Sequence, residues 1–324
     1  MLKHFLNPNG RIMVAVSFDD QTDSLVKAAV QLATRMNRGI NLLHVCDYWV
    51  GRTWANDLML GGAVLGDIAL SAEEESISNA KKELEKIAAS IPKTISVKMD
   101  VTVGFPNESI RAYSLANDID LILVGGSTAE YRFIPKGMST ALSLLSESSC
   151  PVMLIPKSWN NAWNNPSLKI QLADDLSANS EAAVHSTVAL ATLLKGASIN
   201  HCHVNPLSKE ILGNAMSGAF AASHTPKGAI KADEIWDLAM SKLMKKLVAR
   251  TSEFKERMEQ HNTSIRHTIL QGEPLGSLLD LAHKENPDLL AFGRHRAWHK
   301  DSMSLGNIPF HSMLKSGKPV IVVG

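Results

Sequence analysis

The sequence predicts an α/β protein built from two tandem doubly wound parallel-sheet domains of the Rossmann-like type. The chain has 324 residues, and at roughly 150 residues per domain this length suggests two domains. The two halves of the chain repeat one another in order. Within each half, short β-branched apolar runs alternate with helical stretches, which is typical of βαβ units in a parallel sheet.

The internal repeat also predicts where the domains divide. The matching segments are 11–17 with 169–175, 40–45 with 199–204, Gly104 and Pro106 with Gly272 and Pro274, and Asp120 with Asp288. Between the copies lies the Trp- and Asn-rich segment from Lys157 to Pro166, which has no periodicity and is rich in turn-forming Asn. We therefore predict one domain over 1–158 and a second, diverged copy of it over 159–324.

The elements of the first half follow in order from its apolar patterns. Strands are expected at 12–16, 41–45, 96–103, 121–124 and 152–155. A helix is expected over 73–90, where Ile77, Ala80, Leu84 and Ile87 recur at the three- and four-residue spacing of a buried helix face. Its counterpart in the second half is predicted as a single helix over 234–258. Ligands of such sheets bind at the carboxyl ends of the strands, where the strand order reverses.

Charge and cysteine content exclude several classes of partner. The formal net charge is +1, from 33 Lys and Arg against 32 Asp and Glu, so no global field would attract nucleic acid or an anionic membrane. The chain has three widely spaced cysteines, no apolar run at its amino terminus, and no run near the roughly 18 apolar residues of a membrane span. We expect a cytoplasmic protein with neither nucleic-acid nor membrane partners.

The glycines of each half point to a loop that could hold phosphate. The first strand is followed by Ser17 in one copy and by Asp175 in the other rather than by GxGxxG, and no GxxxxGK[ST] motif occurs. Instead, Gly125 and Gly293 follow the fourth strand of their copies. A loop that leaves a strand at glycine and returns at a helix start can bind phosphate through backbone N–H groups.

Each half resembles a domain of the universal stress protein (UspA) superfamily, and the whole chain resembles its tandem-domain, UspE-like branch. The motifs that carry the resemblance are an ILVAVD-like first strand, the LLHV segment at 42–45, GxP before the third helix, DLILVG at 120–125 and CPVMLIP at 150–156. The resemblance implies an adenine nucleotide alpha hydrolase-like fold and a non-catalytic stress-response role in the cytoplasm. It also implies dimerisation through the last strands and, for some members, ATP binding through G-x2-G-x9-G-[ST].

In the first half this motif is damaged. Gly125 takes the first position, but Thr128 stands at the second, Gly137 arrives one residue early, and Met138 replaces the hydroxyl residue. Ser17 occupies the position of the family's acidic residue. The first half is therefore expected to have lost the nucleotide site.

The second half keeps the spacing of the motif, and the resemblance assigns its residues. Gly293 would cradle phosphate by its backbone, Arg296 would clamp charge, Gly306 would donate at the helix start and Asn307 would donate from its side chain. Asp175, or Asp174 after a one-residue slip, would accept from the ribose or the base, and Ile199 would lie against the adenine. The implied ligand is ATP, with Mg²⁺, in the second domain.

Alternative interpretations remain open beside this one. The nucleotide sites could be vestigial in a scaffold, or in a protein that binds an apolar ligand through the glycine-broken segment from Gly51 to Ala69. A slow ATP hydrolase would use the same pocket with a metal held by Asp175, although the sequence shows no positioned base or nucleophile. His201 and His203 alternate onto one strand face and could hold a metal, but hydrogen-bonded structural histidines are favoured.

The last strand of each half predicts how the two halves associate. The runs at 152–155 and 320–323 are entirely apolar, and each would be an exposed edge in an isolated domain. Because unpaired apolar edges promote aggregation, we expect these strands to pair and form an internal pseudo-dimer. A second chain could then add to form a homodimer.

Overall fold

The computed structural model describes residues 5, 7–47, 62–126, 140–159, 163, 165–214, 232–294 and 307–324. These residues form one ten-stranded, mostly parallel sheet with helices on both faces. The predicted α/β class and the tandem, doubly wound arrangement are confirmed.

The described elements of the first half alternate between strand and helix. They are β1 (Arg11–Ala15), α1 (Thr22–Met36), β2 (Gly39–Asp47), α2 (Gly62–Ser90), β3 (Val97–Gly104), α3 (Pro106–Ala116), β4 (Ile119–Gly126), α4 (Thr140–Glu147) and β5 (Val152–Pro156). The expected helix over 73–90 is the carboxyl-terminal part of α2, which begins earlier, at Gly62. The segment from Gly51 to Ala69 falls outside the described residues up to 61 and within α2 thereafter.

The second half repeats this order. Its elements are β6 (Lys169–Ala173), α5 (Ala178–Leu194), β7 (Ser198–Asn205), α6 (Ala232–Ala249), α7 (Lys255–Gln260), β8 (Ser264–Gln271), α8 (Pro274–Glu285), β9 (Leu289–Gly293), α9 (Asn307–Ser316) and β10 (Val320–Val323). A helical turn also covers 209–214.

The strand order across the sheet is β3-β2-β1-β4-β5-β10-β9-β6-β7-β8. Each half contributes five adjacent strands, and the second half mirrors the first. Neighbouring strands are parallel except where the halves meet, because β5 and β10 pair antiparallel with Val152 opposite Val322 and Met153 opposite Ile321. This is the pairing expected from the two apolar last strands, and it leaves β3 and β8 at the outer edges of the sheet.

Two apolar cores lie on the two faces of the sheet. The first contains residues of α1, α2, α5 and α7, and the second contains residues of α3, α4, α8 and α9. Helix α5 is apolar around most of its surface because it packs on the sheet and also contacts α1 of the other half. Both cores therefore run across the junction between the halves.

The predicted helix over 234–258 is wrong as a single element. The structure ends α6 at Ala249, continues through a 3₁₀ turn at Ser252–Phe254 and begins α7 at Lys255. The Thr251 hydroxyl lies 3.2 Å from the Val248 carbonyl oxygen and 2.9 Å from His267 Nε2, and the Ser252 hydroxyl donates to the Ala249 carbonyl. Hydroxyl side chains that compete for backbone groups in this way favour a break in a helix. The apolar periodicity did not indicate the break because it continues across it.

The segment between the halves is held in place by its tryptophans. Trp159 and Trp163 are buried in the core, with ring centroids 4.9 Å apart. The Trp163 indole N–H donates to the Asp288 carbonyl at 3.2 Å, and its backbone N–H donates to Gln31 at 2.9 Å.

Among the described helices, none is long and apolar enough to cross a membrane.

Candidate functional site

A cavity opens where the strand order of the second half reverses, between the carboxyl ends of β6 and β9. It has a volume of about 350 Å³ and is called here the switch-point cavity. The residues that line it are Ala173, Asp174, Asp175, Ser177, Ser180, Cys202, His203, Val204, Pro206, Pro274, Leu278, Phe292, Gly293, Arg294, Ile308 and Pro309. Ligands bind at this position in open α/β sheets, and the volume is in the range of small-molecule sites.

The two acidic residues at the end of β6 have different environments. Asp174 is buried, whereas Asp175 is exposed at the cavity and its Oδ1 accepts the Ser177 N–H at 2.9 Å. Leu176 follows with φ of +60°, which turns the chain sharply into α5. Ser177 caps that helix by accepting the Ser180 N–H, so the cap is a serine and neither aspartate.

The buried Asp174 carboxylate is the centre of a hydrogen-bond network. Its Oδ2 lies 3.0 Å from His201 Nε2, and its Oδ1 accepts from the Ser180 hydroxyl and the Leu176 N–H, both at 2.7 Å. Arg250 lies 3.4 Å from Oδ1. Burial alone would raise the pKa of Asp174, but these hydrogen bonds and the Arg250 charge hold the pKa below its usual value. Asp174 is therefore an ionised structural anchor beneath the cavity.

His203 lines the cavity beside this network. Its Nδ1 lies 2.8 Å from the Asp174 carbonyl oxygen. A carbonyl can only accept, so Nδ1 carries the proton and Nε2 is the acceptor nitrogen of the neutral ring. His201 is fully buried and hydrogen-bonded to Asp174, whereas His203 forms part of the cavity wall. No group of three or more metal-ligating side chains occurs within the described ranges.

The end of β9 approaches the start of α5 closely. A Cβ on Gly293 would lie 3.0 Å from the Ser180 Cα atom, so any larger residue would have to push the start of α5 away by a few tenths of an ångström. The next residue, Arg294, is buried. Its Nε donates to the Leu145 carbonyl in α4 at 2.7 Å, and its N–H donates to Val323 in β10 at 2.7 Å. One wall of the cavity is thus fastened to the first half.

In the first half, a buried side chain takes the space beside Gly125, which corresponds to Gly293. Gln21 is buried, and its Oε1 lies where a Cβ on Gly125 would be. Val16 replaces Asp174, and Phe18 stacks on His44 with ring centroids 4.2 Å apart. The expectation that the first half has lost the nucleotide site remains a prediction, and the filled space beside Gly125 agrees with it.

The structure brings some of the expected site residues together and separates one of them. Asp175 and Gly293 both line the switch-point cavity, and Asn307 begins α9, whose next two residues line it. Arg296 and Gly306 lie outside the described residues. Ile199 does not reach the cavity. It is 2% exposed and lies near the amino end of β7, where it borders a different groove.

The distance of Ile199 from the switch-point cavity has a simple geometric cause. Cavity residues Cys202, His203 and Val204 lie three to five positions further along β7, and at about 3.3 Å per residue this is a displacement of at least ~10 Å. The rule that ligands sit at the carboxyl ends of strands would have selected Val204. The other residues that sequence reasoning missed, Ser180 and Arg250, have no motif and are brought to the site by the fold.

Comparisons with known proteins agree with this architecture. A family model described as the universal stress protein family matches the chain twice, over residues 8–156 and 167–324. The chain is similar to the solved structure of a universal stress protein from Archaeoglobus fulgidus DSM 4304, with 15% identity, a TM-score of 0.56, and coverage of 96% of this chain and 95% of that chain.

A second similar structure is a protein of unknown function from Pseudomonas aeruginosa PAO1. It has 16% identity and a TM-score of 0.52, and the match covers 98% of this chain and 92% of that one. At such identities the likeness shows the fold alone. A search of curated proteins finds no match to the chain.

Proposed function

The chain belongs to the universal stress protein family, and from this membership and the geometry of the switch-point cavity we propose that its second half binds an adenine nucleotide. In this proposal the protein is a non-catalytic, cytoplasmic stress-response module, and its two halves act as an internal pseudo-dimer to which a second chain can add. The observation that carries the proposal is that Asp175, Gly293 and the start of α9 border one cavity at the switch in strand order.

The walls of the cavity suit the parts of a nucleoside. Val204, Leu278 and Phe292 are apolar surfaces on which a base can pack. The exposed Asp175 carboxylate and the acceptor nitrogen of His203 are suited to ribose hydroxyls or the adenine amine. The amino terminus of α9 begins at Asn307, and free N–H groups at a helix start favour phosphate. Of the two carboxylates among the lining residues, only Asp175 is exposed to hold Mg²⁺.

The state of Asp174 supports a binding role over a catalytic one. Each of its two oxygens accepts a hydrogen bond from neighbouring side chains, and its side chain has no exposed surface. A carboxylate held in this way, with a lowered pKa, is a poor general base because it neither reaches substrate nor binds a proton readily. The slow ATP hydrolase thus ranks below the binding module.

The proposal is tested by the nucleotide content and affinity of the purified full-length protein. We expect heat-released extracts to contain an adenine nucleotide, and calorimetric titration of stripped protein to detect ATP binding with and without Mg²⁺. Asp175→Ala should weaken binding about tenfold, the value of one hydrogen bond to a charged group. Ser17→Ala, at the matching position of the first half, should leave the affinity unchanged.

The outcomes of this test separate the candidate functions. Absence of released nucleotide together with no heat from ATP would refute the proposal. ATP turnover that is lost in Asp175→Ala would favour the hydrolase instead. A second candidate is an apolar ligand in the same cavity, which the apolar walls favour. It would be supported if an apolar fluorescent probe bound the stripped protein and ATP failed to displace it.

A further inference from the structure

A second concave surface lies at the opposite end of the sheet, at the amino ends of β6, β7 and β8. It has a volume of about 550 Å³ and is called here the amino-end groove. Its lining residues are Lys169, Ile170, Gln171, Ser198, Ile199, Asn200, Ser264, Ile265, Arg266, Lys284, Glu285 and Pro287. None of them lines the switch-point cavity.

The polar residues of the groove share the face of the sheet that α8 covers. Gln171 lies opposite Asn200 in the β6–β7 pair, and Asn200 lies opposite Arg266 in the β7–β8 pair. Directly opposed residues in neighbouring strands point to the same face. The last turn of α8 adds Lys284 and Glu285.

The groove has more positive than negative charge. Lys169, Arg266 and Lys284 line it, against one carboxylate, Glu285. That carboxylate is already engaged, because its Oε2 accepts from Arg266 at 2.5 Å and from Asn200 Nδ2 at 2.9 Å. The lining residues therefore have a net charge of +2, which matches the charge of about −2 on a phosphate monoester at neutral pH. Asp288, which is not a lining residue, accepts the Lys169 backbone N–H at 2.8 Å.

Gln171 supplies an unused hydrogen-bond acceptor beside these charges. It is 3% exposed, and its Nε2 donates to the Leu278 carbonyl at 2.9 Å. Its Oε1 has no hydrogen-bond partner among the residues that the structure describes. A buried acceptor without a partner is costly and rare, and a bound molecule with a hydroxyl group would supply the missing hydrogen-bond donor.

The first half has a groove of about 440 Å³ at the corresponding end of its sheet, lined by Arg11 and Lys98 among others, but its asparagine is covered. Strand register makes Arg11, Asn41 and Lys98 the counterparts of Lys169, Asn200 and Arg266, so two cations flank an asparagine in both copies. In the first half, however, Asn41 has no exposed surface, and it donates to the Tyr113 hydroxyl at 2.9 Å and accepts from Arg11.

The residues that cover the asparagine of the first half are absent from the second half. By the offset of the repeat, Leu281 stands where the first half has Tyr113, and Gln171 stands where it has Met13. The Tyr113 hydroxyl is held by Asp100, whose counterpart is Thr268, and the Thr268 hydroxyl instead donates to Asn200 at 2.8 Å. The second half thus keeps the cations and the asparagine, lacks the covering tyrosine and gains a glutamine acceptor.

We propose that the amino-end groove binds a small hydroxylated organic phosphate. Lys169, Arg266 and Lys284 contact its phosphate, and the buried Gln171 side chain turns toward the groove so that its Oε1 accepts from a ligand hydroxyl. This site is independent of the nucleotide proposed at the other end of the sheet.

The test is calorimetric titration of the full-length protein with glycerol 3-phosphate, inorganic phosphate and glycerol. Glycerol 3-phosphate should bind most tightly, and its affinity should fall with added salt because exposed charges are screened. Lys169→Met and Arg266→Met should each weaken binding about tenfold, the effect of losing one charged hydrogen bond. Gln171→Met, which installs the residue of the first half, should remove the preference for glycerol 3-phosphate over inorganic phosphate.

Two control variants make the test decisive. Lys245→Met removes an exposed charge from α6 and should leave the affinity unchanged. Helix α6 lies on the other side of the sheet from the groove, because Thr251, just after α6, contacts His267 on the face of β8 opposite to Arg266. Asp175→Ala should also leave it unchanged. The proposal is overturned if glycerol 3-phosphate does not bind, if Lys169→Met and Arg266→Met have no effect, or if Asp175→Ala abolishes binding.

Discussion

Two buried aspartates show how local surroundings set the charge state of a side chain. Asp174 is held ionised by its hydrogen bonds and by Arg250. Asp120, at the start of β4, is also buried, but burial dominates there and raises its pKa to about 6, although the Arg38 charge and the Phe5 N–H favour the ionised form. The difference lies in hydrogen bonding, because Asp174 accepts from His201, Ser180 and Leu176. Asp120 Oδ2 has no hydrogen-bond partner among the described residues, and Arg38 Nη2 lies 3.7 Å from it, beyond hydrogen-bonding range.

The raised pKa of Asp120 predicts a pH dependence of stability. The folded state holds the proton more tightly than the unfolded state, whose carboxyl has the usual value of 3.8. This contribution to stability is therefore full below pH ~4 and is lost as the pH rises through about 6. Between pH 5 and 7 the free energy of unfolding should fall by about 1 kcal/mol on account of this group.

Urea denaturation at several pH values measures this effect. Asp120→Asn cannot ionise, so its slope between pH 5 and 7 should be flatter than that of the wild type. Asp23→Asn, at an exposed position in the first turn of α1, should keep the wild-type slope. Equal slopes in the wild type and Asp120→Asn would show that Asp120 is ionised throughout this range.

At the scale of elements, the contact between β9 and α5 shapes the switch-point cavity. Gly293 ends β9 directly against the backbone of α5 at Ser180, while Ser180 also donates to Asp174. The positions of the strand end, the helix start and the buried carboxylate therefore depend on one another. A wider separation of β9 and α5 would weaken the support beneath Asp175.

We expect Gly293→Ala to destabilise the protein by about 1–3 kcal/mol, because the added methyl group overpacks against backbone that cannot rotate away. The substitution should also lower the affinity for any ligand that binds in the switch-point cavity. Thermal and urea unfolding measure the first effect, and titration measures the second. Gly213→Ala is the matched control, since a Cβ there meets nothing within 4 Å, and it should cause no loss. Unchanged stability in Gly293→Ala would show that β9 and α5 separate easily.

Elements also show where periodicity is informative and where it fails. The strands follow from their apolar runs, because a buried parallel strand requires such residues on both faces. The break between α6 and α7 did not follow, because the apolar pattern continues through it. It depends on hydroxyl contacts of Thr251, including one with His267 in β8, and such a partner is invisible to local sequence.

At the scale of the whole molecule, the antiparallel pair of β5 and β10 joins the halves into one sheet. The residues of both strands are buried. Arg294 donates across the same junction to the Leu145 carbonyl, and the Trp163 backbone N–H donates across it to Gln31. The halves therefore share their cores, and we regard the chain as one cooperative unit.

A double-mutant cycle tests the coupling across this junction. Met153 and Ile321 lie directly opposite each other and are fully buried, so Met153→Ala and Ile321→Ala should show a coupling energy of about 0.5–1 kcal/mol. The pair Met153 and Leu84 should show none, because Leu84 lies on α2, which packs on β2 and β3. Unfolding in urea should be a single transition for every variant. Two transitions, or additive effects at Met153 and Ile321, would show independent halves.

The sequence by itself determined the duplication, the α/β class and the acidic residue after the sixth strand, because these depend on local periodicity and on residues adjacent along the chain. Only the tertiary structure decided which positions share a site. Ile199 was expected at the ligand and lies at the other end of its strand, while Ser180, His203 and Arg250 converge on Asp174 from separate elements. Convergence depends on strand order and helix packing, and these are set by contacts between residues far apart in the chain.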